Sequence, residues 1–244
     1  MVDLLPKRFF VTGTDTEVGK TYVSSLITKQ MRQNGLTVFP FKPISAGTEV
    51  NAEFGGVAVN EDAAMLHKAC KGDYSIEQIN PIVYQEPIAP HIAAEREQKT
   101  LSSQSLNQVL SQIPDAEVTL IEGAGGWLLP LNNNELLSDW VAAQQLPVLL
   151  VVGVKLGCLN HALLTAQAIQ NSGAKLCGWV ANFVQPETEV ARENVNYLTA
   201  KLSQIYGAQC LFEVAFNGDE LMKAKQPSFS RTIGKVESEL TITL

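Results

Sequence analysis

The amino-acid sequence predicts one α/β domain built on a doubly wound, mostly parallel sheet that is flanked by helices. Strand-sized apolar runs alternate with segments of helical periodicity, which is the pattern of parallel strands joined by helical crossovers. Three of these runs are continuously rather than alternately apolar, as expected for strands buried on both faces. Because 244 residues suffice for a single large core, residues 1–244 are predicted to form one domain, with a weakly patterned tail over 226–244.

The individual elements follow from short-range patterns. The predicted strands cover residues 8–12, 37–41, 82–84, 118–121, 148–152 and 176–180. The first helix has apolar residues at helical spacing and ends at Gly35, and three more are predicted over 61–70, 102–113 and 159–172. Residues 44–60, rich in glycine and small side chains, are predicted to be a loop.

Composition excludes several classes of function. The net charge is −7 and no block of like charges occurs, which argues against a nucleic-acid partner. The four cysteines form no Cys-x-x-Cys pair, so we expect reduced thiols rather than a zinc site or disulfides. No leader peptide is recognised, and no apolar run approaches the length of about 18 residues needed to span a bilayer. We therefore expect a cytoplasmic protein without membrane contact.

Residues 13–21, Gly-Thr-Asp-Thr-Glu-Val-Gly-Lys-Thr, form the most informative motif, because they lie between the first strand and the first helix. In that position, backbone N–H groups and the helix N-terminus bind phosphate oxygens, a Lys at position 20 reaches the β/γ-phosphates and a Thr at position 21 ligates Mg²⁺. The motif predicts a fold of the P-loop NTPase type. Five residues rather than four separate its glycines, so the first glycine of the common pattern falls on Thr14.

Polar residues follow several predicted strands, where ligands of parallel sheets collect. Lys42 follows the second strand and is predicted to clamp phosphate, while Glu122 follows the strand over 118–121. Glu122 is therefore a candidate Mg²⁺ ligand together with Thr21. Asp62 is the other candidate, although an acid in the first turn of a helix equally favours the helix dipole without any metal.

The chain resembles one family over residues 9–182, the ATP-dependent dethiobiotin synthetases. The motifs that carry the resemblance are residues 13–21, Lys42-Pro43, Pro90-His91-Ile92, 121–127, Asp139-Trp140-Val141 and 151–161. The displaced glycine of the phosphate loop is itself part of this family's motif. The resemblance implies that 7,8-diaminononanoate and CO₂ form a carbamate, that MgATP phosphorylates it, and that the second amine closes the ureido ring of dethiobiotin.

The resemblance also implies roles for individual residues. The implied catalytic residues are Lys42, Lys20, Glu17 and Thr16, and Asp62 becomes a metal ligand with Thr21 and Glu122. The implied nucleotide-binding residues are Thr14, Asp15, Thr16, Glu17, Val18, Gly19, Lys20, Thr21, Tyr22, Asp62, Glu122, Gly123, Ala124, Gly125 and Asn182. Lys42→Gln is predicted to abolish turnover while sparing the fold, and Trp127 is predicted to wall the substrate cleft.

A homodimer is a further implication of the resemblance. The family binds the substrate carboxylate across the dimer interface, on backbone N–H groups of a segment that corresponds to Gly157, Cys158 and Asn160 of the neighbouring subunit. The segment is a loop entering a helix, which is a suitable anion site. Tyr197 matches a tyrosine at the same carboxylate, and a half-buried packing role is the alternative.

The sequence departs from the family pattern in two places. Residues 44–47 exchange an alanine and a serine, so Ala46 stands where the family has a substrate-binding hydroxyl, and Ser45 is the candidate replacement. At the base end of the nucleotide site, Phe183 and residues 212–215 replace groups that hydrogen-bond adenine. We therefore expect weaker discrimination between ATP and other triphosphates than is typical of the family.

Two other classes of protein are compatible with a phosphate loop. A switch ATPase of the partitioning type typically carries an additional lysine early in its loop, where this chain has Thr14. A nucleotide-sensing relative without catalytic activity is the second alternative. The presence of Lys20, Lys42 and Glu122 argues against it, because metal and phosphate groups are the expected first losses.

Overall fold

The structure, a computed structural model, describes residues 4–224. Its strands are β1 Arg8–Gly13, β2 Val38–Phe41, β3 Ile44–Ala46, β4 Glu49–Asn51, β5 Val57–Val59, β6 Ile82–Tyr84, β7 Val118–Glu122, β8 Val148–Val154, β9 Leu176–Phe183, β10 Cys210–Val214 and β11 Met222–Lys223. Its helices are α1 Lys20–Gln33, α2 Glu61–Ala69, α3 Ile76–Ile79, α4 Pro90–Arg96, α5 Ser103–Leu110, α6 Leu137–Ala143, α7 Cys158–Asn171 and α8 Glu189–Tyr206.

Seven strands form the central sheet in the order β11-β10-β9-β8-β1-β7-β2. The neighbours from β10 to β2 pair in parallel, and only the β10–β11 pair in residues 4–224 of this sheet is antiparallel. Strands β7 and β2 lie on one side of β1, whereas β8 and the strands after it lie on the other side. The order of the strands therefore reverses direction at β1. The predicted fold class, a doubly wound and mostly parallel sheet of the P-loop NTPase type, is confirmed.

Helices cover both faces of this sheet, and strand β8 shows how the sequence produces two cores. Successive side chains of a strand point to opposite faces. Leu149 and Val151 accordingly pack on the face that α1 covers, whereas Val148, Leu150 and Val152 pack on the opposite face. Because both faces are apolar, every residue of β8 is buried, as the uninterrupted run of apolar residues predicts.

The prediction of a loop over residues 44–60 is wrong. Strand β3 pairs in parallel with β6 in a small separate sheet, and β4 pairs with β5 in an antiparallel hairpin. These strands are three residues long, and a short run of alternating small residues gives little periodicity to detect.

The predicted tail over 226–244 lies outside the described residues. Between residues 4 and 224, no helix is both long and apolar enough to cross a bilayer.

Candidate active site

The phosphate loop between β1 and α1 is held by two close packing contacts. A Cβ atom added to Gly13 would lie 2.6 Å from the Val18 side chain, and one added to Gly153 would lie 3.1 Å from it. Val18 is thus enclosed between two glycines and is buried. Gly13 is needed for this close approach, which explains why a glycine stands at this position despite the altered spacing of the motif.

The turn into α1 contains two residues in the left-handed region of backbone conformation, Glu17 with φ 60° and Gly19 with φ 84°. A positive φ is uncommon for a residue with a Cβ atom, and such strain concentrates at functional sites. The side-chain amide of Asn182 donates to the Val18 carbonyl at 2.9 Å and supports this turn from the end of β9.

Beside the loop lies a cluster of ionised and polar side chains. The Lys42 ammonium is 2.8 Å from Oε1 of Glu122 and 3.0 Å from Oδ2 of Asp62. The Thr21 hydroxyl donates to the same Glu122 oxygen at 2.6 Å. Lys42 and Glu122 are buried, whereas the Asp62 side chain is half exposed.

The cluster shifts the protonation equilibria of its members. Burial is the largest single influence on Lys42 and alone would lower its pKa, but attraction to Glu122 and Asp62 outweighs it and the pKa is raised. The pKa of Asp62 is lowered, because Lys42 more than offsets the effect of burial. The pKa of Lys20 is lowered by burial and by repulsion from Lys42. Its ammonium contacts only the Asp15 carbonyl, at 3.3 Å, among residues 4–224.

Each member of the cluster is positioned by the end of an element. Glu122 is the last residue of β7, and Lys42 directly follows β2, the strand beside it. Asp62 lies in the first turn of α2, whose N-cap is Asn60. The amide of Asn60 also donates to the Gly47 carbonyl at 2.9 Å, which joins α2 to the end of β3. The predicted convergence at the carboxyl ends of the strands is therefore observed for β1, β2 and β7.

These groups border a cleft of about 770 Å³. It is also lined by residues on the far side from the phosphate loop, including the apolar segment 87–90 and residues 128–130. The predicted site residues that line the cleft are Thr16, Glu17, Gly19, Lys20, Thr21, Tyr22, Lys42, Ser45, Ala46, Asp62, Ala124 and Gly125.

Other predicted nucleotide-binding residues lie next to the cleft without lining it. The Thr14 N–H donates to the Val151 carbonyl at 3.0 Å, and the Asp15 side chain accepts from the Thr16 N–H at 2.8 Å. Val18 is enclosed as described, and a Cβ atom on Gly123 would lie 2.7 Å from the Phe10 ring. The cleft is not lined by Thr14, Asp15, Val18, Glu122, Gly123 or Asn182.

The predicted carboxylate-binding residues do not line this cleft either. Gly157 caps α7 with φ 92°, and Asn160 on the first turn is exposed, while Cys158 is buried. Tyr197 is 48% exposed on α8. Within one chain the structure therefore does not bring these residues to the phosphate loop.

At the end of the predicted nucleotide site where the base would bind, the side chains pack against one another. Phe183 is buried under the Arg192 guanidinium, whose carbon lies 5.1 Å from the ring centroid. The Glu213 carboxylate accepts from Arg192 at 2.6 Å.

Sequence reasoning missed two site residues and misplaced one. Asn60 stands directly before Glu-Asp at the start of α2, which is a recognisable N-cap signal. Asn80 is buried behind Lys42 and Ser45, and no local pattern indicates its contacts. The prediction that Trp127 walls the cleft is wrong, because Trp127 is buried with its ring edge-on to Phe10 at 6.2 Å.

The donor groups in the cluster fit a small, hard cation. Oε2 of Glu122 is buried and has no hydrogen-bond partner among residues 4–224. Thr21 and Asp62 add a hydroxyl and a second carboxylate beside it. The same range contains no cluster of three or more His, Cys, Asp or Glu side chains, so a cation here would rely on the hydroxyl and on further oxygen ligands.

The parallel sheet, the phosphate loop on β1–α1 and the adjoining lysines and carboxylates define a nucleotide-dependent enzyme of the P-loop class. A family model described as an AAA domain matches residues 7–214. The chain is similar to the ATP-dependent dethiobiotin synthetase BioD of Pseudoalteromonas translucida (strain TAC 125), with 43% identity over 80% of this chain and 86% of that protein.

Two further relatives carry the same name. The one from Aliivibrio fischeri (strain MJ11) is 44% identical over 80% of this chain and 85% of the relative. The one from Vibrio cholerae serotype O1 (strain ATCC 39315 / El Tor Inaba N16961) is 40% identical over 92% of this chain and 93% of the relative. The chain belongs to the dethiobiotin synthetase family and is an ATP-dependent ligase of the biotin pathway.

Proposed function

We propose that this enzyme closes the ureido ring of dethiobiotin from 7,8-diaminononanoate, CO₂ and ATP. The observation that carries the proposal is the placement of the Lys42 ammonium and the Lys20 ammonium on one cleft with the phosphate loop. A reaction that joins a carbamate to a triphosphate crowds negative charge, and buried cations stabilise such charge most strongly.

The proposed reaction proceeds in three bond-forming steps. One amine nitrogen attacks CO₂ and loses a proton, which gives a carbamate. A carbamate oxygen then attacks the γ-phosphorus and the bond to ADP breaks, which gives a carbamic-phosphoric anhydride. The second amine attacks the carbonyl carbon, loses a proton and expels phosphate, which closes the ring.

The chain's own residues would position these groups. Backbone N–H groups of the turn at Glu17 and Gly19 would bind phosphate oxygens at the N-terminus of α1. Lys20 would reach the β/γ-phosphates, because its ammonium has only one weak protein contact. Lys42, whose ammonium lies beside the phosphate loop, would contact the carbamate and the transferred phosphoryl group. Thr16 and Glu17 line the same part of the cleft.

Thr21, Asp62 and Glu122 would hold Mg²⁺. The unpartnered, buried oxygen of Glu122 supports this assignment, since an orphaned carboxylate oxygen is costly without a cation. When bound, Mg²⁺ would neutralise charge on the β- and γ-phosphates.

The direct test is to incubate the purified protein with diaminononanoate, bicarbonate and MgATP and to quantify dethiobiotin and ADP by mass spectrometry. We expect one ADP per dethiobiotin, and we expect Glu122→Gln to be inactive as a matched control. ATP hydrolysis without dethiobiotin, with the diamine shown to bind, would instead favour the switch ATPase. Nucleotide binding without any turnover would favour the catalytically inactive relative.

The proposal includes a homodimer in which the partner supplies the carboxylate site. It is supported by exposed apolar side chains on the loop before α7 and on α7 and α8, where Leu156, Leu164 and Val190 are 96%, 62% and 62% exposed. Gly157 and Tyr197 lie on the same elements and do not line their own chain's cleft.

Subunit complementation tests this arrangement. Lys20→Met disables the cleft and Gly157→Val disables the carboxylate loop, so each variant alone should be inactive. A mixed dimer contains one intact site, and mixing the two variants should therefore restore activity. Activity that stays absent in demonstrated mixed dimers would refute a shared site.

The proposal has a second part, which is that the enzyme discriminates weakly between ATP and other nucleoside triphosphates. The residues at the end of the site where the base would bind support it. Glu213 is committed to Arg192 and Phe183 is buried, so neither is free to select adenine. Steady-state rates with ATP, CTP and GTP test this point. A preference for ATP alone would contradict it.

A further inference from the structure

Asn80 makes three structural connections behind the cleft. It caps the C-terminus of α3, and its Oδ1 lies 2.6 Å from the Ser45 hydroxyl. Its amide nitrogen donates to backbone carbonyls, that of Lys42 at 2.7 Å and, more weakly, that of Ile82 at 3.5 Å. The side chain is buried, with 6% of its surface exposed. The Lys42 N–H donates to the carbonyl of the neighbouring Ile79 at 2.8 Å, so the backbone of Lys42 is held on both sides.

This arrangement determines which way the Ser45 hydrogen bond runs. The Lys42 carbonyl can only accept, so the nitrogen of the Asn80 amide must face it and the oxygen must face Ser45. Ser45 is therefore the donor. Its hydroxyl has no other partner among residues 4–224, and Ser45 borders the cleft although only 1% of its surface is exposed, a burial similar to that of Lys42. Toward a bound molecule, Ser45 can offer only its lone pairs.

An acceptor at this position suits an amine that has to react. A hydroxyl that donated its proton to the nitrogen would occupy the lone pair needed for attack on carbon. A hydroxyl that accepts an amine N–H instead leaves that lone pair free. The orientation imposed by Asn80 thus favours a neutral amine whose nitrogen can act as a nucleophile.

We infer that Asn80 is a positioning residue, which holds Ser45 as a hydrogen-bond acceptor for a substrate amine and fixes the backbone from which Lys42 reaches the cleft. The inference rests on the proposed function and goes beyond it, because it assigns the amine contact to Ser45 and its orientation to Asn80. It also accounts for the exchange of alanine and serine at residues 45 and 46, since only the residue at 45 bonds to Asn80.

Steady-state kinetics of dethiobiotin formation by single and double variants test the inference. Asn80→Ala frees the Ser45 hydroxyl to rotate and Ser45→Ala removes it, and each should lower kcat by about tenfold or more, the effect of one lost, well-oriented hydrogen bond. The KM for ATP should stay within about twofold, because the phosphate contacts remain. Ser45→Thr keeps the hydroxyl and should recover most of the rate.

The double variant S45A/N80A tests whether the two residues act together. If Asn80 acts through Ser45, the double variant should be no slower than the slower single variant. If the loss of kcat in the double variant equals the product of the two single losses, the residues act independently and the inference is overturned. An unchanged kcat for Ser45→Ala would also overturn it. If Asn80→Ala does not fold, the comparison of Ser45→Ala with Ser45→Thr decides alone.

Asn132 offers a matched control outside the cleft. Its amide also donates to a backbone carbonyl, that of Leu101 at 2.9 Å, and its Oδ1 accepts from the Asn134 N–H at 2.9 Å. Asn132→Ala should reduce stability without a selective loss of kcat. A wild-type enzyme that makes no dethiobiotin would refute the proposed function itself, whereas an active wild type with fully active Asn80 and Ser45 variants would refute only this inference.

Discussion

Lys42→Gln is the most informative single substitution in this enzyme, because the structure predicts two separate losses from it. Activity should fall, since we propose that this ammonium contacts the carbamate and the transferred phosphoryl group. Stability should also fall, because Lys42 is the charge partner of a carboxylate, Glu122, that has no exposed surface. The expectation from sequence that this substitution spares the fold did not take that burial into account.

The magnitude follows from the two contacts of Lys42. The pair with Glu122, at 2.8 Å, is buried on both sides, and removing one partner of such a pair costs about 3–5 kcal/mol. The pair with Asp62 is half exposed and adds only about 0.5 kcal/mol. Because Gln can still donate an N–H to Glu122, we expect the lower end, about 3 kcal/mol, or a fall in Tm of about 6–12 °C for a domain of this size.

Urea denaturation with and without Mg²⁺ measures this effect. Lys42→Gln should lower the urea midpoint without changing the slope of the unfolding free energy. Mg²⁺ should raise the stability of the variant more than that of the wild type, because Lys42 no longer competes for the carboxylates. The double variant K42M/E122Q removes both charges and should lie within about 1 kcal/mol of the wild type, while being inactive.

A Tm for Lys42→Gln within about 2 °C of the wild type would refute the reasoning, because it would mean that Glu122 tolerates burial without a cation partner. A double variant that is less stable than Lys42→Gln would refute it as well. In that case the loss would come from packing rather than from an unpaired charge.

Three further predictions concern single residues, two of them in the phosphate loop. Lys20→Met should raise the Tm while abolishing turnover, because a buried ammonium whose pKa is lowered destabilises the fold at neutral pH; the gain should vanish in thermal unfolding at high pH, where Lys20 itself loses its proton, and a variant no more stable than the wild type at neutral pH would contradict this. Gly13→Ala should cost about 1–3 kcal/mol and raise the KM for ATP, because the new Cβ atom meets Val18 at 2.6 Å; a normal KM in a thermal and kinetic comparison would contradict this. Partial burial raises the pKa of the Cys177 thiol to about 11, so alkylation by iodoacetamide at pH 8 should be roughly a hundredfold slower than for free cysteine, and a rate near that of free cysteine would contradict the raised pKa.

The fold could be predicted from sequence because its main signals are local. A continuous apolar strand such as β8 and a glycine-rich turn before α1 each carry their pattern within a few residues. The rule that ligands collect at the carboxyl ends of parallel strands then placed Lys42, Glu122 and the phosphate loop together.

The contacts that set the chemistry could not be predicted in the same way. Lys42 and Glu122 are 80 residues apart, and only the pairing of β2 with β7 shows that their charges meet away from solvent. Asn80 lies 38 residues from Lys42, and its role depends on the direction of one amide. Short-range patterns carry no information on such distant partners.

The two lysines of the cleft differ in whether a carboxylate partner pairs with the ammonium before a ligand binds. Lys42 is paired with Glu122 and Asp62 and its pKa is raised, so it stabilises the empty site. Lys20 has no carboxylate within hydrogen-bonding distance among residues 4–224, and its pKa is lowered, so it destabilises that site. A cation held without a partner gains most when an anion arrives, because its contacts do not first have to be broken. The stability lost at Lys20 is therefore the expected consequence of a site preorganised for a triphosphate, and the higher Tm expected of Lys20→Met measures that cost directly.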